Sequence, residues 1–499
     1  MKNIIKYSIA TVLTVFSLSS CEDWLDVNDD PNNPTNVAPE FVLPSAQASV
    51  AGIVGGDFSI IGGLWSQHWT QSHVSSQYKD IDAYDITAQK YNIAWTELYA
   101  GGLNDLEDIK IKATTAENNN MVLIATAVQT YGFLTLADWF DKIPLTEALK
   151  VSEVQSPRYD NGPDVYAELL RRLDETLALN YNNGTSAKVP SDLVFGSLAT
   201  GAGQVDAWKR FVNTLKLKMY LRQTASSNSA QALAAISAML SANTPFLTTH
   251  AAITQFINEA NRSNPLYENN IRQVNTPGNL RLSRTFQSYL ESKSDQLRLN
   301  AYFTAGTTGG VPTQYGLAQG DFNASSTVIP GGQVSLANMS ATDPFYFFSL
   351  DEVYFLLAEA YLRTGNSVAA KTNYDLAVAA AYQKFGLTMP ASRTAPGGVY
   401  EYPSTGTTAQ QLEAIIIQKW VAMFRQGSES FWDQARTGYP RISPVPSTSG
   451  SYVAGQWTMA KNAVTTSFPK RVLYTAASRD VNPNTPPPAL VTDKVWWMP

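Results

Sequence analysis

Seven side chains stand where polar residues crowd together and no apolar period runs through them: Trp69, His73, Tyr78, Tyr84, Tyr302, Tyr315 and Phe322. Tyr91 shares that setting. An aromatic ring among Asn, Gln, Asp and Ser can stack on the C–H face of a sugar while the polar groups take its hydroxyls. The same surroundings suit an extended peptide. The eight are therefore read as exposed, and the first seven as ligand contacts on loops 65–91 and 302–322, with a glycan as the ligand and a peptide as the alternative. The chain carries 11 Trp, 24 Tyr and 20 Phe, most of which must fill its core.

Catalytic motifs are missing from the sequence. His68 and His73 are five apart and lack the H-E-x-x-H arrangement of a zinc protease. Gly201-Ala202-Gly203 runs on to Asp206 where a dinucleotide fingerprint needs glycine. No G-x-S-x-G elbow or P-loop occurs. Asp26, Asn28 and Asp30 imitate the start of a calcium loop, but Pro31 replaces its glycine and Val37 its bidentate glutamate. The 42 acidic residues always allow some glycosidase pair, yet nothing selects one. The reading is a binding protein rather than an enzyme, with no cofactor and no metal; a glycan-degrading hydrolase is the least favoured alternative.

Charge and cysteine narrow the class further. A formal charge of −6 without a basic stripe disfavours nucleic acid. Cys21 is the single cysteine, which excludes an intrachain disulfide and a thiolate metal site. It follows Leu18-Ser19-Ser20, an apolar core over Ile9 to Phe16, and Lys2 and Lys6. That order reads as a lipoprotein signal peptide over 1–20, with Cys21 lipidated and the body held to a membrane by its acyl chains. An acidic, Asn/Pro-rich tether over 21–40 and a single domain over 41–499 follow.

The elements that must position the aromatic residues are helices. Tyr354, Leu357, Ala358 and Tyr361, then Ala370, Tyr374 and Ala377, keep the spacing of a tetratricopeptide repeat, with Gly365-Asn366 at the turn. Small residues let two antiparallel helices approach while the tyrosines and Leu357 fill the space between them. Such a pair buries its faces only by stacking on neighbours. Apolar periods predict further helices over Ile93 to Lys112, Met121 to Phe140, Pro163 to Leu179, Ala207 to Gln223, Ala230 to Leu240 and Gln411 to Phe424. Residues 304–344 and 386–406 read as Gly/Pro-rich loops. The expected fold is mainly α: a tetratricopeptide-like, helix-pair superhelical scaffold with long irregular loops and a few short strands.

Several stretches together resemble the SusD/RagB family of outer-membrane nutrient-binding lipoproteins: the cysteine with its acidic sequel and DPNNPT, WFDKIPLTEAL (139–149), LLAEAYLRTG, QKWVAMFRQGSESFWDQARTGYP (418–440) and the closing KVWW. Ala435 before Arg436 and Thr475 after Tyr474 depart from the usual pattern. The resemblance implies helix pairs carrying an irregular, substrate-facing half. It also implies attachment to the outer face of the outer membrane and a SusC-like TonB-dependent transporter as partner, for which the chain acts as a lid delivering glycans or peptides. The 408–440 stretch is expected to fix helix packing, through an Arg425–Glu429 pair at i,i+4.

Overall fold

A computed structural model describes residues 37–150, 152–182, 184–274 and 278–499. The expected signal peptide, Cys21 and the tether up to residue 36 lie outside the described residues. Helix α1 (Pro39–Gly55) opens with proline in its first turn, where its missing N–H costs nothing. After Gly56 comes α2 (Asp57–Trp65), with Asp57 complementing the dipole. A short helix (Asn92–Glu97) runs through a π-helical stretch (Leu98–Leu103) into α3 (Asn104–Thr115).

The centre is α4 (Asn119–Phe140), 22 residues long and buried from Asn120 to Phe140, with the Asn118 side chain capping it at Met121 N. A helix apolar all round is one enclosed on every side. It is surrounded by α1, α3, α5 (Gly162–Leu177) and α6 (Gly201–Arg222), the last followed by α7 (Ser229–Ser241). In α5 the period places Tyr166, Leu169 and Leu173 inside.

Helices α8 (Arg284–Ser292) and α9 (Gln296–Tyr302) precede the repeat, α10 (Leu350–Arg363) and α11 (Ser367–Gln383). Gly365 turns the chain between them at φ +84°, and Asn366 caps α11 at Ala369 N. Ala358, Ala370 and Ala377 are wholly buried and Tyr374 nearly so, while Tyr354, Leu357 and Tyr361 are half-buried against the core. Helix α12 (Thr408–Ala422) starts at a Thr407/Gln410 capping box, and α13 (Gly427–Thr437) crosses α2. That crossing needs glycine on both sides: a Cβ on Gly62 would lie 2.1 Å from Ser428 N, and one on Gly427 2.3 Å from Gly63 N.

Strands are two to four residues long. β1 (Trp69–Gln71), β2 (Ala251–Ile253), β3 (Leu280–Leu282), β4 (Phe303–Thr304), β5 (Gly306–Thr308), β6 (Val311–Thr313), β7 (Leu336–Ala337) and β8 (Phe345–Phe348) form a sheet ordered β1-β3-β7-β4 and the pairs β2–β8 and β5–β6. The fold is the expected helix-pair scaffold with few short strands. One local expectation is corrected. Ile93, placed on the apolar face, is 74% exposed, because its five-residue step to buried Leu98 falls in α-helical backbone and sets it about 140° round from that face.

The expected Arg425–Glu429 pair does not form. Arg425 Nη1 meets Asp343 at 2.9 Å, while Glu429 joins Lys218 at 3.0 Å and Arg222 at 2.8 Å. The Glu429 pairs belong to a buried ion network that also holds Lys218–Glu352 (2.6 Å), Lys419–Asp433 (2.7 Å), Arg436–Glu359 (2.5 Å) and Arg436–Asp433 (2.8 Å). An opposite charge from another helix offers Glu429 a drier and better-aligned partner than one along its own chain.

Candidate functional site

Burial contradicts the exposure expected of five of the seven candidate contacts. Trp69 lies in β1 with its ring against Gly63 and edge-on to Phe424 at 5.4 Å. Tyr302 stacks on the same Phe424 at 4.6 Å and 3°. Tyr84 meets Trp65 edge-on, the Tyr78 hydroxyl donates to Asn269 O, and Phe322 lies beneath Lys79. All five are buried, as is Tyr91 against Phe58. Their apolar partners come from remote segments, so no local period announces them.

Their polar neighbours are buried too and bond to one another. Asp82 Oδ2 accepts from Thr70 Oγ1 (2.7 Å) and Gln71 N (2.9 Å), and its Oδ1 from Gln319 Nε2 (2.5 Å). Gln67 bridges Thr285 and Thr458. Burial outweighs these bonds and raises the Asp82 carboxyl to about 6. His68, also buried, donates from Nε2 to Trp420 O at 2.7 Å, and burial lowers it to about 3. Only His73 and Tyr315 of the seven stay half-exposed. His73 Nε2 donates to Ile329 O at 2.6 Å, and Tyr315 pairs by its backbone with Ser335. Both tie loops together, and neither lines the groove between Trp95 and Asn482.

An open groove of about 430 Å³ lies elsewhere, where sequence reasoning placed only a helix. Trp95 and Tyr99 are one helical turn apart, and the wider turn of the π-helical stretch brings Asn104, five residues on, to line the same groove. Trp95 is held between Tyr99 at 4.8 Å and Tyr159, parallel to it at 6.1 Å, with Phe140 edge-on behind. The Tyr99 hydroxyl donates to Pro144 O at 2.7 Å. The opposite wall is Pro144, Ala148, Leu149, Gln155 and Pro157 with the short helix Ala476–Val481.

That wall is fixed by Asp160, which accepts from Leu145 N, Thr146 N and Thr146 Oγ1 at 2.8–2.9 Å. The Tyr159 and Ser478 hydroxyls share a hydrogen bond at 2.5 Å, and Asn482 Nδ2 donates to Pro157 O. Thr96, Asn104 and Gln155 are exposed and, among the described residues, make no side-chain hydrogen bond. Every lining side chain is uncharged. An aromatic edge, free amides and a free hydroxyl over an apolar floor can bind a neutral, hydroxyl-bearing ring. A Trp and a Tyr at i,i+4 inside a helix read as core in sequence; the only outward signal is the Asn that follows Gly101-Gly102.

Among the described residues no group of His, Cys, Asp and Glu gathers to hold a metal.

The chain matches the SusD-like family described as starch-binding and associating with the outer membrane, over residues 31–456. A search of curated proteins gave no match. Among solved structures, a SusD homologue from Bacteroides uniformis is 21% identical with a TM-score of 0.72, over 92% of this chain and 99% of that one. A SusD homologue from Bacteroides fragilis is 18% identical, TM-score 0.71, over 93% and 99%. A chitin-binding protein is 20% identical, TM-score 0.71, over 92% and 100%. These structures share the fold, and the match across most of the length makes the chain a member of the SusD-like family.

Proposed function

We propose that this chain is a cell-surface nutrient-binding lipoprotein that takes a neutral glycan in the Trp95–Tyr99 groove and passes it to a SusC-like TonB-dependent transporter as that transporter's lid. Membership of a starch-binding, outer-membrane-associated family supports nutrient binding as the task. The observation that carries the choice of ligand is the groove itself, open, floored by aromatic and apolar side chains, edged by free amides and lined by no charge. A peptide's termini and charged side chains gain nothing there, whereas sugar hydroxyls meet Thr96, Asn104 and Gln155. In this reading Cys21 carries the lipid, the outer membrane is reached through it, and the protein binds without turning its ligand over.

Calorimetry with neutral oligosaccharides and neutral peptides tests the ligand class. Saccharide binding is expected, weakened about tenfold in an Asn104→Ala/Gln155→Ala double variant that melts like the parent, since each amide bond contributes about 0.5–1.5 kcal/mol. Peptide binding alone, or a double variant that binds as well as the parent, contradicts the reading. In the same preparation, Cys21→Ala should leave the membrane fraction and no oligosaccharide should be shortened.

A further inference from the structure

We infer that the chain holds a second, enclosed site for one neutral, oxygen-rich small molecule the size of one or two sugar rings, in the cavity between α2, β8 and the segment from Arg425 to Trp432. The cavity encloses about 310 Å³, far more than one water occupies and at the lower end of ligand pockets. It is walled by Phe345, Phe385 and Leu266. Two of its lining residues carry an N–H buried without a partner: Trp432 at Nε1, on a side chain 3% exposed, and Arg425 at Nε. Buried donors are rarely left unpaired in a folded protein. Among the described residues, the hydroxyls of Tyr131 and Tyr346, also on the lining, have no partner either.

The Trp432 ring is held in place by the Arg222 guanidinium at 4.8 Å and by Trp139 at 5.2 Å, so its N–H cannot swing to another acceptor. The ligand's charge follows from the ionic groups on the wall, each of which is already matched. Arg425 faces Asp343 at 2.9 Å, Lys384 faces Asp351 at 2.6 Å, and Glu429 lies between Lys218 and Arg222. A charged guest would displace one of these pairs, whereas a neutral one needs only to accept from the indole and guanidinium N–H groups and to lie against the phenyl rings. Carbonyl, ether and hydroxyl oxygens on a compact ring meet those terms. The site stands independently of the groove and holds if the groove takes nothing.

Glucose, galactose, mannose, N-acetylglucosamine and maltose are the probes, titrated by calorimetry into the parent, Trp432→Phe, Val54→Phe and Asn104→Ala/Gln155→Ala. Val54 lines the cavity, so its replacement by phenylalanine fills it. The parent should show two binding steps for at least one probe: one that the groove double variant weakens, and one that it keeps, which Trp432→Phe weakens about five- to tenfold and Val54→Phe removes. If Val54→Phe melts early, the Trp432→Phe ratio decides. Loss of all binding in the groove double variant overturns this site and leaves the groove reading intact. Binding unchanged by both cavity variants, no binding by any probe, or a crystal structure showing water alone in the cavity also overturns it.

Discussion

Around α6, α10, α12 and α13 the buried polar groups include charges matched in sign, whereas around β1 Asp82 stands among neutral amides and hydroxyls and, among the described residues, has no cation on it. Both environments exclude water, so burial alone raises a carboxyl in either. In the helical half Arg436 and Arg363 overcome that for Glu359, and Lys218 and Arg222 do so for Glu429, holding both down to about 2. In the irregular half the bonds from Thr70, Gln71 and Gln319 do not overcome it, and Asp82 stands at about 6. Asp82 in its hydrogen-bond network therefore responds to pH in the opposite sense to Glu359 and Glu429 in the ion network, while Glu352 and Asp138, whose cations do not overcome burial, respond as Asp82 does. Glu359 and Glu429, lower in the folded state, stabilise it above their unfolded values and lose that contribution as pH falls towards 2. Asp82, higher in the folded state, contributes most below about pH 4 and loses that contribution as pH rises through 6.

The largest expected effect is that of Glu429→Ala, which leaves buried Lys218 with Glu352 alone and buried Arg222 with only the more distant Asp138 and Asp433. It should cost about 3–5 kcal/mol in denaturant unfolding; a loss under 1 kcal/mol would show the charges do not act as a unit. Next is Asp82→Asn, whose amide can donate to the unpartnered Gln319 Oε1. The stability of the variant relative to the parent should rise by about 2–3 kcal/mol between pH 4 and pH 7. A difference that stays flat with pH would place solvent or a cation at Asp82. Smaller still, Ala358→Trp should cost about 1–3 kcal/mol by overpacking α10 against α11, read as a lower melting temperature. No shift there would remove close packing as the reason for alanine at that position.

The helical half was readable because its partners are local. The apolar run from Met121 to Phe140, the Tyr166–Leu169–Leu173 stripe and the alanines at 358, 370 and 377 each carry their period in a short window. The irregular half was not, because Trp69 and Tyr302 find Phe424 across hundreds of residues, and their polar neighbours bond inward instead of facing water. Polar context therefore misled for Trp69, Tyr78, Tyr84, Tyr302 and Phe322, all of which are core. The groove was hidden for the converse reason: Trp95 and Tyr99 keep a helical spacing that signals burial, and a wider π turn brings Asn104 into line with them.

A crystal structure of the chain with a neutral oligosaccharide that binds it in solution decides where the ligand sits. A sugar ring should lie against the Trp95–Tyr99 edge, with hydroxyls on Asn104 and Gln155. A saccharide seated at the His73 and Tyr315 loops, with the groove vacant, would contradict this placement.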